Sequence, residues 1–390
     1  MLLLLALAEV LGMSLWFSAS SVAGQFRAMW GLSVVESGWL TTAVQLGFVA
    51  GTALAAVLNL ADVVPARRYF AVSAALGAAA NAALLAAPGF GPALACRFLT
   101  GFFLAGVYPP AMKMAATWFR QDRGFAIGVV VASLTVGKAI PYLIRSAEVS
   151  GVAPVVLAAS GAAMVAALLV GAGYRDGPHE FPRRPFSWSL VATVVRHRET
   201  RLATAGYLGH MWELYAMWTW VPAFLAASAA ARAARGEVTP VAAVYLLAFG
   251  AIAAGGLGAL WGGWAARRHG YARVVIWAMT ASGLCSLGVG LVFGRAFWLV
   301  APAVLAWGFF VVADSAQFSA MVTEVAPAHA VGTALTLQTS IGFLLTMVTI
   351  QLVPVLVEWA GWPLAFPVLA LGPAAGITAI RRLDARSTGK

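Results

Sequence analysis

Residues 206–222 read GYLGHMWELYAMWTWVP, and they lie in an apolar run from 202 to 227 that carries one imidazole, His210, and one carboxylate, Glu213. An α-helix rises about 1.5 Å per residue, so a run of this length covers the roughly 30 Å of hydrocarbon in a bilayer. Similar runs recur along the 390-residue chain, which is 62% hydrophobic and 10% charged, with a mean hydropathy of +0.87. Soluble domains are about a quarter charged. The strands of an outer-membrane barrel would alternate over roughly ten residues, a pattern these runs do not show. The sequence therefore predicts an all-α integral membrane protein.

Working outward from that segment, twelve spans are predicted near 2–24, 37–61, 69–88, 91–118, 124–144, 151–173, 202–227, 239–264, 271–293, 297–321, 329–355 and 360–380. The longest polar stretch separates two sets of six. The expected organisation is an N-terminal six-helix bundle over 1–174, a cytoplasmic linker over 175–201, a C-terminal bundle over 202–382 and a cytoplasmic tail over 383–390. The opening MLLLLALAEVLGMSLWF lacks a basic n-region and reads as a retained first span. Counted by loop, seventeen Lys and Arg residues fall on the side of the linker and five on the other, which predicts an inner-membrane protein with both termini cytoplasmic.

That asymmetry accounts for the net charge of +11 without nucleic acid, whose binding needs a basic cluster on a soluble face. Cys96 and Cys285 sit in apolar runs, where a thiol behaves as a small hydrophobe. The chain has no HExxH, no P-loop lysine motif and no cysteine pair at zinc spacing, so no enzyme activity, cofactor or metal is expected. GGLGALWGGW, residues 255–264, follows no strand and reads as small-residue helix packing.

The two sets of spans share features. Arg67 and Arg68 follow the second span as Arg267 and Arg268 close the eighth, and RFLTGFFLAG (97–106) has a counterpart in VLAWGFFVVA (304–313). Related halves point to a solute site between them. With this layout, LNLADVVPARRYF (58–70) resembles the signature loop of the major facilitator superfamily, roughly G-x-L-A-D-R-x-G-R-R. Leu60, Ala61, Asp62 and Arg67 match it, whereas Leu58 and Pro65 stand at glycine positions and Val63 and Ala66 at arginine positions. The second copy, GWAARRHGYARV, keeps Gly263, Arg268 and Gly270 and has Arg267 in place of the aspartate. Arg97 followed by Gly101 is similar to the R-x-x-x-G motif of span 4. The resemblance covers the whole chain. It implies two pseudo-symmetric six-helix bundles, alternating access, a central cavity lined by spans 1, 4, 7 and 10, and gating contacts from Asp62, Arg67 and Arg68.

Ionisable residues inside the spans carry the functional expectations. A charge at the bilayer centre costs about 2.5–3.5 kcal/mol, so it faces a cavity or a partner. The residues concerned are Glu9, Arg97, Lys113, Lys138, His210, Glu213 and Asp314. His210 and Glu213, at i and i+3, share a face with Gly206, Met217 and Trp220. This face is expected to form a wall of the site, with Glu213 exchanging a proton or pairing with a cation and Trp220 stacking on the solute. The competing reading has His210 and Glu213 bonding each other or a backbone carbonyl. Glu9 is expected either to pair with Arg97 or Lys138 or to be a second proton site.

Arg97 and Tyr108, eleven residues apart, share a helical face and are assigned to the cavity, with Lys113 pointing away near the cytoplasmic end. Asp314 is a counter-ion for Arg97 or Lys138, and Gln317 a hydrogen-bond donor to solute; a structural role for this pair stands equally. The function expected is a secondary active transporter of a small solute, monomeric, coupled to protons or alternatively to sodium. The alternatives are a permease for inorganic anions such as nitrate, nitrite or cyanate, a drug- or metabolite-proton antiporter, and a receptor that binds without moving its ligand. Spans 2 and 8 hold no mid-membrane arginine, and of the antiporter motif GFAIGVVVASLTVGKAIPYL keeps only Gly128, Gly137 and Pro141. Three intramembrane cations against three carboxylates leave the charge of the solute open.

Overall fold

The computed structural model describes residues 1–119, 123–149, 151–179 and 187–387, without the side chains of 61, 62, 123, 124, 188, 386 and 387. Among the described residues all regular structure is helical, and eleven helical stretches are long and apolar enough to cross a membrane. A shorter apolar helix, Leu2–Met13, opens the chain and starts the twelfth segment. The chain packs as two compact units, Met1–Pro185 with Pro240–Ala253, and Phe186–Thr239 with Ala254–Lys390.

The first unit contains α1 (Leu2–Met13), α2 (Ala23–Trp30), α3 (Val34–Val57), α4 (Leu60–Val63), α5 (Ala66–Ala83), α6 (Phe90–Leu104), α7 (Tyr108–Trp118), α8 (Arg123–Ser146) and α9 (Ala153–Gly173). The expected first span is not one helix. It breaks at residues 14–19, where Ser14 and Ser18 turn their hydroxyls back onto the Leu11 and Leu15 carbonyls at 2.6 and 2.9 Å. Such local bonds offer the backbone an alternative to the helix ladder. Span 4 is broken as well, at Ala105–Val107, and α7 restarts with Pro109 and Pro110 in its first turn, where a missing N–H costs no helical bond. Helices α3 and α6 approach so closely that a Cβ on Gly101 would overlap the Val44 carbonyl, the small-residue contact that packs membrane helices.

The second unit holds α10 (Trp188–Arg196), α11 (Arg198–Ala233), the part of α12 (Val241–His269) beyond Ala253, α13 (Tyr271–Gly288), α14 (Phe297–Ala313), α15 (Ser315–Val325), α16 (Val331–Ala360), α17 (Trp362–Ala365) and α18 (Leu371–Ser387). The stretch expected to be a plain linker contains α10, which docks by burying Val194 with Ala203, Phe318 and Met321. The tenth span divides at Asp314, which ends α14 and precedes α15. The twelfth divides around Pro363 and Pro367 before α18. Helices α11 and α18 meet at Gly209 and Gly372, each of whose Cβ atoms would strike the carbonyl of the other.

Candidate functional site

Arg97 lies on α6 and is fully buried. Its guanidinium donates to the Leu15 carbonyl at 3.1 Å, the Trp16 carbonyl, Ser18 Oγ at 3.1 Å, Asn81 Oδ1 at 2.8 Å and the Leu40 carbonyl at 3.3 Å. Three of those acceptors belong to the break in span 1, whose carbonyls have lost helical partners. The sequence reading placed this side chain in the cavity; in the structure its donors are taken up in bracing that break. Asn81 completes the brace, accepting from Ser18 Oγ at 2.6 Å and donating to Ser160 Oγ at 3.0 Å.

Glu9 stands one helical turn before the break, on α1, with no exposure to solvent. Neither carboxylate oxygen accepts a hydrogen bond. Helix α1 meets α8 here: a Cβ on Gly137 would stand 2.9 Å from Val10 Cα and 3.1 Å from the Glu9 carbonyl, which sets Lys138 beside Glu9. Glu9 is within electrostatic reach of both Lys138 and Tyr108. Lys138 is 1% exposed, and its Nζ lies 3.9 Å from the centroid of the Trp16 ring, a cation–π contact. Pro141 has no N–H, so the Gly137 carbonyl lacks its helical donor next to this group. Of the two partners expected for Glu9, the structure brings up Lys138. Tyr108 is half-buried at the start of α7, and Lys113 is half-buried one turn later.

In the second unit His210 and Glu213 do share a buried face of α11, yet they serve different neighbours. Glu213 Oε1 accepts from Trp307 Nε1 on α14 at 2.7 Å, and Oε2 accepts from Ser282 Oγ on α13 at 2.8 Å. His210 reaches the division of span 10. Its Nδ1 lies 2.8 Å from Asp314 Oδ1, close but off the hydrogen-bond axis, and its Nε2 shares a hydrogen bond of 3.0 Å with Ser315 Oγ. Asp314 thus faces His210, where Arg97 or Lys138 had been expected. Trp220 donates its indole N–H to the Ile350 carbonyl at 2.8 Å, and Ile350 sits four residues before Pro354, which supplies no helical N–H to it. Gly206 packs on Ile380 and Phe318, and Met217 is buried. Gln317 is buried with its Oε1 unbonded.

Arg67 and Arg68 are exposed in the first turn of α5; the Asp62 side chain lies outside the described residues. A further concavity of about 800 Å³ opens among the helix ends of the second unit, lined in part by His197, Glu199, His269, Arg273, Glu324 and Asp384. None of these had been singled out from the sequence. Also missed were Trp16, Asn81, Ser282 and Trp307. Asn81 was within reach of sequence reasoning, because it interrupts an otherwise apolar AAANAALL.

The family model of the Major Facilitator Superfamily matches residues 2–349. Among solved structures, a bacterial homologue of the human lysosomal transporter Spinster, crystallised inward-facing and unoccupied, is similar with a TM-score of 0.70. The match covers 98% of this chain and 93% of that one at 15% identity, a likeness of fold. No curated protein matches the chain.

Proposed function

The chain belongs to the major facilitator superfamily of membrane transporters, and from that premise we propose that it carries a small organic solute by alternating access, coupled to protons through Glu9. The observation behind this assignment is the contrast among its three intramembrane carboxylates. Glu213 is held by two donors, so a proton arriving there has to displace an existing contact, and Asp314 faces the titratable ring of His210. Glu9 is as deeply buried and accepts no hydrogen bond, so it takes up a proton at no such cost.

Ionised, Glu9 attracts Lys138; protonated, it does not. At an effective dielectric of 20, two unit charges interact by about 2–3 kcal/mol at separations of about 6–8 Å. Switching an attraction on that scale shifts a conformational equilibrium between two states a few kcal/mol apart. Glu9 sits directly before the break of span 1, where α1 packs on α8. The exposed Arg67 and Arg68 serve as latch contacts at the start of α5, and the Lys and Arg asymmetry supports an inner-membrane location with both termini in the cytoplasm.

The test uses proteoliposomes loaded with a pH-reporting dye and challenged in turn with hippurate, gluconate and tetraethylammonium. A transported probe moves protons with it in the wild type. Glu9→Gln should exchange that probe across the membrane without proton movement, and Glu213→Gln should keep the coupling. Full proton movement in Glu9→Gln would remove Glu9 from the coupling role.

A further inference from the structure

Resting on the alternating-access reading, we infer that Arg145 on α8 and Tyr245 on α12 form a clasp that fastens the opening half of α12 to the first unit and releases it when the transporter opens away from the cytoplasm. Helix α12 is one continuous helix, Val241–His269, yet Pro240–Ala253 packs with the first unit and the residues from Ala254 with the second. A helix shared in this way follows one partner when the units move, and its attachments decide which. The half beyond Ala253 is joined by backbone. A Cβ on Gly258 or Gly262 would overlap the Phe309 or Ala313 carbonyl, and one on Gly255 would strike the Val312 side chain. Small-residue contacts of this kind bring two membrane helices together backbone to backbone.

The opening half is held through side chains. The Arg145 guanidinium lies over the Tyr245 ring, 4.9 Å from its centroid, a cation–π contact between two half-buried residues. Its edge is bonded within the first unit. Nη1 donates to the Val149 carbonyl at 2.6 Å, and Gln25 on α2, with its own amide nitrogen turned to the Val22 carbonyl, accepts from Nη1 and Nη2 at 2.9 and 3.0 Å. A planar guanidinium bonded along its edge keeps its face for an aromatic ring. Tyr142, one turn before Arg145, is buried and within electrostatic reach of Tyr245, so α8 meets this tyrosine with two residues. When Tyr245 leaves, Arg145 keeps the Val149 and Gln25 oxygens, and no charge is stranded. The clasp is therefore the joint of α12 that opens at small cost, while the glycine contacts with α14 stay closed. The Lys and Arg asymmetry places Arg145, at the end of α8, on the side away from the cytoplasm.

The experiment follows labelling of one introduced cysteine by a membrane-impermeant maleimide added to intact cells. The full-length protein carries Cys96→Ser, Cys285→Ser and Ala248→Cys, since Ala248 is fully buried in the opening half of α12. Arg145→Met and Tyr245→Leu should each raise the labelling rate about two- to five-fold, the range a cation–π contact at a part-exposed site supports. The double variant should label no faster than the quicker single one, and Tyr245→Phe, which keeps the ring, should label like its parent. Unchanged rates in both single variants, or single effects that multiply in the double, overturn the inference. Should a single variant not fold, Tyr245→Phe decides, because faster labelling with the ring retained assigns the hold to the hydroxyl and rejects the clasp. Labelling is read without solute or gradient, so a failure of Glu9 coupling in vesicles leaves this result standing, and the converse holds.

Discussion

Replacing Arg97 with methionine separates a brace from a solute ligand. The guanidinium supplies five acceptors, and two of them keep other donors when it is gone: the Leu15 carbonyl retains Ser18 N and Oγ, and Asn81 Oδ1 retains Ser18 Oγ. Among the described residues no turn or loop N–H reaches the Trp16 carbonyl, so that buried acceptor is stranded, and the Leu40 carbonyl loses a second donor. A stranded buried acceptor costs about 1–3 kcal/mol, and a hydrogen bond from a charged group contributes about 1.5–3 kcal/mol. The expected destabilisation of Arg97→Met is therefore about 2–5 kcal/mol. Arg97→Lys keeps the charge on a single nitrogen, which cannot serve the break in span 1, α3 and α5 at once, and should lose about half as much. The assay is thermal unfolding of detergent-solubilised protein, followed by intrinsic fluorescence and by size exclusion, with binding of the transported probe measured on the same samples. If Arg97→Met unfolds within a degree of the wild type but no longer binds that probe, the bracing argument fails and Arg97 belongs to the solute site.

Trp220→Phe removes the indole donor to the Ile350 carbonyl and should cost about 1–3 kcal/mol. Pro354→Ala gives that carbonyl a helical N–H, so the penalty of Trp220→Phe should shrink in the double variant; strict additivity in unfolding free energies would refute this account. Glu213→Gln can accept from Trp307 and donate to Ser282 Oγ, and should stay within about 1 kcal/mol of the wild type, whereas Glu213→Leu strands the Trp307 indole N–H at about 1–3 kcal/mol and leaves Ser282 Oγ only the Met279 carbonyl. Equal unfolding temperatures for the two variants would show that Glu213 is not held in this way.

The class of the protein and the places of its spans were legible because burial in a bilayer is recorded in one dimension, as runs of about 20 apolar residues. The breaks were less legible. Serine is tolerated in membrane helices, so Ser14 and Ser18 did not mark the end of α1, and α10 is too short to stand out from a polar linker. The same limit misled the reading of span 4. Putting Arg97 and Tyr108 on one face assumed about 100° of rotation per residue across all eleven positions, and the turn at 105–107 resets that phase. Ionisable positions were visible because each is costly in lipid. Their partners were not, since Trp307, Ser282 and Asn81 are neutral donors and acceptors on other helices and are chosen by helix rotation and packing.

Physical necessity orders the uses of these buried groups. In the first unit the break of span 1 is braced by Arg97 from span 4, while in the second the division of span 10 is pinned by His210 from span 7. If the halves are repeats, span 7 answers to span 1 and span 10 to span 4, so broken and bracing helices have exchanged places between them. In the first unit Arg97 is spent where a helix ladder ends, because backbone left unpaired in lipid costs several kcal/mol per group, and in the second His210 holds the side chains of Asp314 and Ser315 at the division. A side chain committed to that task cannot also change partners during a transport cycle without opening the break it holds. Glu9 holds no break and accepts no hydrogen bond, yet it is sealed from solvent beside Lys138. Fold maintenance therefore explains why Arg97 and His210 sit where they do and leaves the burial of Glu9 to be explained by what it does when a proton arrives.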